Sequence, residues 1–174
     1  MSKYYLYIVL CFSAVQACAQ APAPTPPATP ATPAQPVYAS TKEGWLVDLD
    51  EAYEISIKEK KPILANFTGS DWCGWCKKLD ADVFSKPEFQ AWAKENVVLL
   101  ELDFPRRFQI PAKNQQQNAA MQQALQVTGY PTVWVINLVK DPTTRNFSIN
   151  QLGKTGYTPT AEQFIATVDK FVHP

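Results

Sequence analysis

The chain contains four cysteines and one histidine, and two of the cysteines, Cys73 and Cys76, stand two residues apart around Gly74 and Trp75. Ahead of them, residues 63–67 are a short apolar run behind Pro62, long enough for a buried strand, and Gly69, Ser70 and Asp71 supply a turn. A helix opening after that turn puts Cys73 at its N-terminus, where unpaired backbone N–H groups and the positive end of the helix dipole favour thiolate over thiol. Cys76 then lies one turn further on, positioned to attack a mixed disulfide formed at Cys73. This spacing predicts redox chemistry. Half of a zinc site has the same spacing, and a purely structural disulfide is the other alternative. Zinc needs further ligands. Cys11 and Cys18 fall in a segment that reads as a removable leader, and His173 is next to the C-terminus, so no metal site is expected. No dissociable cofactor is needed either, because the electrons reside on the cysteines.

The elements that must position this pair occupy only part of the chain. With 174 residues, 46% hydrophobic, 18% charged and a formal net charge of zero, the composition suits one domain with a true core. It gives no reason to expect a nucleic-acid or anionic-membrane partner. Lys3 followed by the apolar run 4–15 has the charged start and short apolar middle of a secretory signal, assigned to residues 1–19, and is short for a membrane span. Ala17-Cys18-Ala19 fits cleavage by ordinary signal peptidase, whereas Val15-Gln16-Ala17-Cys18 resembles a bacterial lipobox. The protein is therefore expected to be periplasmic or secreted, and attached to a membrane only if Cys18 is lipidated. Residues 20–40 are rich in Pro, Ala and Thr and read as a disordered linker, since they offer too little apolar surface to offset the entropy of ordering. The folded domain is assigned to residues 41–174.

Within it, residues 46–49 suit a short edge strand and 50–61 a helix capped by Asp48 or Asp50 and stopped by Pro62. The cysteine-bearing helix is expected over 74–82. Ser85-Lys86-Pro87-Glu88 has the pattern of a capping box opening the next helix. The run 97–102 alternates little and predicts a central, doubly buried strand parallel to 63–67. Residues 103–118 read as an insertion mixing Phe104, Arg106, Arg107 and Phe108, suited either to packing over the domain or to recognising a partner. A Gln-rich helix over 115–125, a hairpin of strands 133–138 and 146–152, and a last helix capped by Thr158 before Pro159 complete the order.

Gly129-Tyr130-Pro131-Thr132 stands immediately before the β-branched run at 133–136. Together with Trp72-Cys73-x-x-Cys76-Lys77 on a strand-to-helix turn, it resembles the thioredoxin superfamily, from Gly44 to the C-terminus. Thr68-Gly69-Ser70-Asp71-Trp72-Cys73, Leu102-Asp103-Phe104-Pro105 and Val127-Thr128-Gly129-Tyr130-Pro131 are most similar to the periplasmic thioredoxin-like reductases of chlamydiae. The resemblance implies an α/β thioredoxin-like fold, a mixed central sheet flanked by helices on both faces. It implies catalysis by Cys73 and Cys76, a cis bond before Pro131, and a substrate strand pairing with the backbone of Tyr130. Trp72, Gly74 and Trp75 are expected to bound the substrate beside Tyr130 and Pro131, the two tryptophans as an apolar rim. Two departures from thioredoxin stand out. The buried acid that precedes the active-site turn would fall at Asn66 or Phe67, and no histidine precedes the second cysteine. The expected activity is an exported thiol–disulfide oxidoreductase reducing protein disulfides and supplied by an upstream thiol donor. Oxidase or isomerase activity, and a non-catalytic binding module, are the alternatives.

Overall fold

The computed structural model describes residues 38–144 and 146–174, so the expected signal (1–19) and most of the expected linker (20–40) lie outside the described residues. The apolar run behind Pro62 forms β1 (Ile63–Thr68), buried along its whole length. Such a strand needs cover on both faces and both edges. It pairs in parallel with β2 (Val98–Asp103) and antiparallel with β3 (Thr132–Lys140), which forms a hairpin with β4 (Phe147–Thr155). The resulting sheet has the order β2-β1-β3-β4. Among the described residues five α-helices accompany it: α1 (Leu49–Glu59), α2 (Gly74–Leu79), α3 (Pro87–Asn96), α4 (Ala112–Ala124) and α5 (Ala161–Val172). Their order relative to the strands is the one expected from the sequence.

Strand periodicity divides the core. Ile63, Ala65 and Phe67 of β1 face a cluster with Leu49 and Ala52 of α1 and Met121 at the C-terminal end of α4. Leu64 faces the opposite cluster, built from Leu79, Phe84, Phe89, Phe164 and Val168. Helices therefore cover both faces. Phe67, Phe89 and Phe164 are fully buried, each contributing about 1.5–3 kcal/mol relative to an exposed ring. No helix among the described residues is long and apolar enough to cross a membrane.

Several local expectations differ from the structure. The strand expected at the centre, β2, lies at an edge of the sheet. Its outer side is closed by residue 46: Leu46 donates to Leu99 O at 2.9 Å, and Glu101 N donates to Leu46 O at 2.8 Å. That single bridge closes part of the outer edge, and β2 stays almost wholly buried, Glu101 and Asp103 included. Ser85 does not cap α3. Its hydroxyl donates to Ala81 O at 3.1 Å, within a π-helical turn (Asp80–Phe84) that continues α2, and Lys86 takes the cap position without a side-chain bond. Helix α5 begins two residues later than expected, with Thr160 accepting from Gln163 N. Helix α1 is capped by Asp48 and ends at Glu59, closed by Lys60 in the left-handed region before Pro62 is reached. Helix α4 starts at Ala112, which confines the irregular segment after β2 to residues 104–111.

Candidate active site

Strand β1 delivers the chain to a turn that is tied down one residue after another. Cys73 N donates to Gly69 O at 2.8 Å, closing the turn. Ser70 donates its backbone N–H (2.8 Å) and its hydroxyl (2.6 Å) to the carboxylate of Asp103, the last residue of β2 and only 3% exposed. Asp71 accepts from the backbone N–H groups of Arg106 and Arg107. Burial works to raise its carboxyl, yet these amides and the Arg107 charge hold it below the ordinary carboxylate range. Trp72 donates its indole N–H to Phe104 O at 2.8 Å. The Arg106 guanidinium stacks 3.6 Å above the Trp72 ring, and Tyr130 meets that ring edge-on at 5.7 Å. Nothing larger than glycine fits at 69, where a Cβ would stand 2.5 Å from the Trp72 ring.

Cys73 follows as the cap residue of α2, in extended backbone, and its Sγ accepts from Cys76 N at 3.1 Å. The two sulfurs are joined in a disulfide, S–S 2.05 Å, with Cys73 6% and Cys76 5% exposed. The N–H that Sγ accepts, with the dipole of the helix behind it, favours negative charge on Cys73 once the bond is reduced. Gly74 stands open at the first helical position. Trp75 is 59% exposed and rests against Tyr157, ring centroids 5.0 Å apart. Tyr157 in turn donates to Asp82 at 2.7 Å. Lys78 and Tyr157 together hold the Asp82 carboxyl below its usual range. The Tyr130–Pro131 bond is cis. Burial raises the Tyr130 phenol, against the bond its oxygen accepts from Gln122 and the nearby Arg106 charge.

The family model described as Thioredoxin-like matches residues 44–137. This chain belongs to the thioredoxin-like family. Among curated relatives, it is 37% identical over 87 residues to the disulfide bond reductase DsbH of Chlamydia pneumoniae, covering 50% of this chain and 52% of that protein. It is 28% identical over 93 residues to the thioredoxin-related protein DsbJ of the same organism, covering 53% and 27%. The chain thus spans about half the length of DsbH in that comparison and less of DsbJ. A solved structure of a DsbH oxidoreductase superposes with a TM-score of 0.64 at 28% identity, covering 82% of this chain and 92% of that one. The solution structure of a thioredoxin from Thermus thermophilus, at 13% identity and a TM-score of 0.52, covers 72% and 84% and shares the fold.

On this thioredoxin-like scaffold Cys73 is joined to Cys76, Trp72 meets Tyr130 and Pro131 follows it in the same loop, while Trp75 lies in α2 between the cysteines. The two tryptophans expected as an apolar rim are placed differently from each other. Trp75 is exposed, whereas Trp72 is folded beneath the 104–111 loop with its N–H engaged. Asn66, at the position of the missing acid, is 2% exposed, and its Oδ1 has no hydrogen-bond partner among the described residues. Its register partner across to β2 is Glu101, a buried carboxylate paired with Lys42 and accepting from Ser40 Oγ at 3.0 Å. The polar cover over β2 thus reaches back to residue 40, N-terminal to the expected boundary at 41. Sequence reasoning missed Asp103, Asp71 and Arg106 as positioning residues. For Asp103 the available signal was an acid closing an apolar strand, opposite a serine-bearing turn.

Proposed function

We propose that this protein is an exported thiol–disulfide oxidoreductase that reduces disulfides in protein substrates. The observation that carries the reading is the Cys73–Cys76 pair at a helix start, with Cys73 Sγ accepting the N–H of Cys76. In the reduced protein the Cys73 thiolate attacks one sulfur of a substrate disulfide. A bond forms between Cys73 Sγ and that sulfur as the substrate S–S bond breaks, and the departing substrate thiolate takes a proton from solvent. Cys76, deprotonated, then attacks Cys73 Sγ, releasing the second substrate thiolate. Two electrons have passed to the substrate, and the protein is left with the Cys73–Cys76 disulfide. An upstream donor with two thiols regenerates the dithiol: one donor thiolate opens the Cys73–Cys76 disulfide to a mixed disulfide, the second resolves it, and the donor is left as a disulfide.

Trp75, Gly74 and the backbone of Tyr130 beside cis-Pro131 are assigned to substrate contact, with Trp75 offering exposed apolar surface. The assignment to reduction is supported by the absence of histidine between the cysteines, which leaves the reduced form without imidazolium stabilisation. Residues 1–19 are assigned to export, and residues 20–40 to a linker ahead of the catalytic domain.

Insulin turbidity with dithiothreitol tests the activity. Wild type accelerates precipitation and Cys73→Ser abolishes the acceleration. Cys76→Ser accumulates mixed disulfides through Cys73, read by mass spectrometry, and adducts on Cys76 in the Cys73→Ser protein would reverse the assigned roles. Equilibration with glutathione tests direction: a reductase pair sits at or below about −230 mV, and a value near −120 mV would mark an oxidase.

A further inference from the structure

The 104–111 segment packs one aromatic side chain over the domain and leaves other side chains outside. Phe104 turns inward between Phe67 and Tyr130, with ring centroids at 6.4 and 5.2 Å. Arg106, Arg107 and Phe108 stay outside, Phe108 being 48% exposed. The loop is fixed through its backbone. The groups that bond Asp71 are the N–H groups of Arg106 and Arg107, and the group that bonds Trp72 is the carbonyl of Phe104. Both guanidinium groups therefore remain without an ion pair among the described residues, while the chain that carries them is held rigid. Arg106 lies flat on Trp72, the residue immediately before Cys73. Lys77 adds a third cation on the same lip, donating to Asp71 O at 3.1 Å. Three cations against two carboxylates, Asp71 and the buried Asp103 that also lines the cleft behind the loop, leave a local excess of positive charge in a chain whose formal net charge is zero. Behind the loop opens a cleft of about 480 Å³, lined among others by Phe104, Arg106, Phe108, Gln115 and Gln122.

We propose that Arg106 and Arg107 select the substrates of this site, favouring disulfides flanked within a few residues by Asp or Glu. This rests on the oxidoreductase reading above. A guanidinium presents a planar fork of donors matched to a carboxylate. Fixing the loop in advance removes much of the ordering cost that weakens exposed ion pairs. Stacking on Trp72 places one of these forks over the residue immediately before the attacking cysteine, so an acidic residue within a few positions of the substrate cysteine can meet it as the mixed disulfide forms. Phe108 offers an apolar neighbour to the same segment.

The test uses two fluorogenic peptide disulfides identical except for Asp-Asp or Asn-Asn beside the cysteine. Each rate is divided by the rate with dithiothreitol, because an acidic flank raises the pKa of the leaving thiol and slows any thiol attack. Wild type at low salt is expected to favour the acidic peptide by about three- to tenfold in kcat/KM, mostly through KM, a range set by two exposed ion pairs. The preference should fall towards unity at about 1 M salt, where the screening length shrinks to about 3 Å. Arg106→Gln/Arg107→Gln should abolish it. Arg107→Glu, which leaves the stack on Trp72 in place, should bring the ratio of the Asp-Asp to the Asn-Asn peptide to unity or below. Equal corrected rates in wild type, or a preference unchanged in both variants, would overturn the selectivity while leaving the oxidoreductase intact. Failure to reduce either peptide would remove the oxidoreductase reading itself, and the selectivity with it.

Discussion

Replacing Asp103 by alanine should loosen the active-site turn more than any single change at the turn itself. The carboxylate of Asp103, a residue 3% exposed, accepts two hydrogen bonds from the exposed residue Ser70, from N at 2.8 Å and from Oγ at 2.6 Å. Hydrogen bonds to a charged acceptor contribute about 1.5–3 kcal/mol each, and a buried carboxylate that loses a donor carries a desolvation penalty besides. Ser70→Ala removes one bond and should cost about 1.5–3 kcal/mol; Asp103→Ala removes both and should cost about 3–5 kcal/mol. In the Asp103→Ala background, Ser70→Ala should cost almost nothing, which gives a coupling of about 1.5–3 kcal/mol in a double-mutant cycle. Urea unfolding of the four oxidised proteins measures it. A second readout is independent of unfolding. Tyr38 has its phenol pushed up to about 12, first by burial and then by the charges of Asp103 and Glu101. Removing Asp103 should bring that phenol down towards 10 without reaching it, as followed by phenolate absorbance. Additive effects of the two substitutions, with a coupling below about 0.5 kcal/mol, would mean that Asp103 does not hold the turn.

Two further predictions follow from the same contacts. Trp72→Phe keeps a ring under Arg106 but loses the N–H to Phe104 O, so amide hydrogen exchange at residues 104–108 should quicken by about tenfold, one lost bond of about 1–1.5 kcal/mol; unchanged protection would show that the loop is held without Trp72. Asp48→Ala removes the acceptor of the Asp50 and Glu51 N–H groups and the partner of Lys113, and should cost about 0.5–2 kcal/mol at neutral pH. Burial raises the Asp48 carboxyl, but the Lys113 and backbone bonds outweigh it and leave the folded-state value below the unfolded one. The stabilisation is therefore complete above about pH 4 and is lost as pH falls through the folded value, so the gap between wild type and variant in urea midpoints should narrow in acid; a gap that widens in acid would contradict the assignment.

What the sequence disclosed and what it withheld separate by the kind of group involved. Cys73, Cys76 and the Gly-Tyr-Pro-Thr at 129–132 are visible because their side chains or ring carry the chemistry, and no substitute would serve. The order of helices and strands is equally visible, since it depends on periodicity that each segment states for itself. The edge position of β2 was not, because an apolar run reads alike whether a full strand or the single bridge at Leu46 closes its outer side. Ser85 and Thr158 have the right types for caps, yet the Ser85 hydroxyl is engaged by Ala81 O, and Thr160, not Thr158, caps the last helix. The contacts of Asp71 were beyond reach for a different reason: its partners are backbone N–H groups, which almost any residue at 106 and 107 would supply.

The turn before the cysteines is not a transplantable module. Gly69 exists as glycine because of Trp72, Ser70 answers to Asp103, Asp71 to the amides of Arg106 and Arg107, and Trp72 to the carbonyl of Phe104. Three residues of the turn, Ser70, Asp71 and Trp72, thus have their counterparts in one short stretch, 103–107, more than thirty positions later in the chain. Grafting Cys-Gly-Trp-Cys alone onto another scaffold would carry the sulfurs but leave behind what holds them. In the descent of such proteins the two stretches are bound to be inherited, or lost, as a pair.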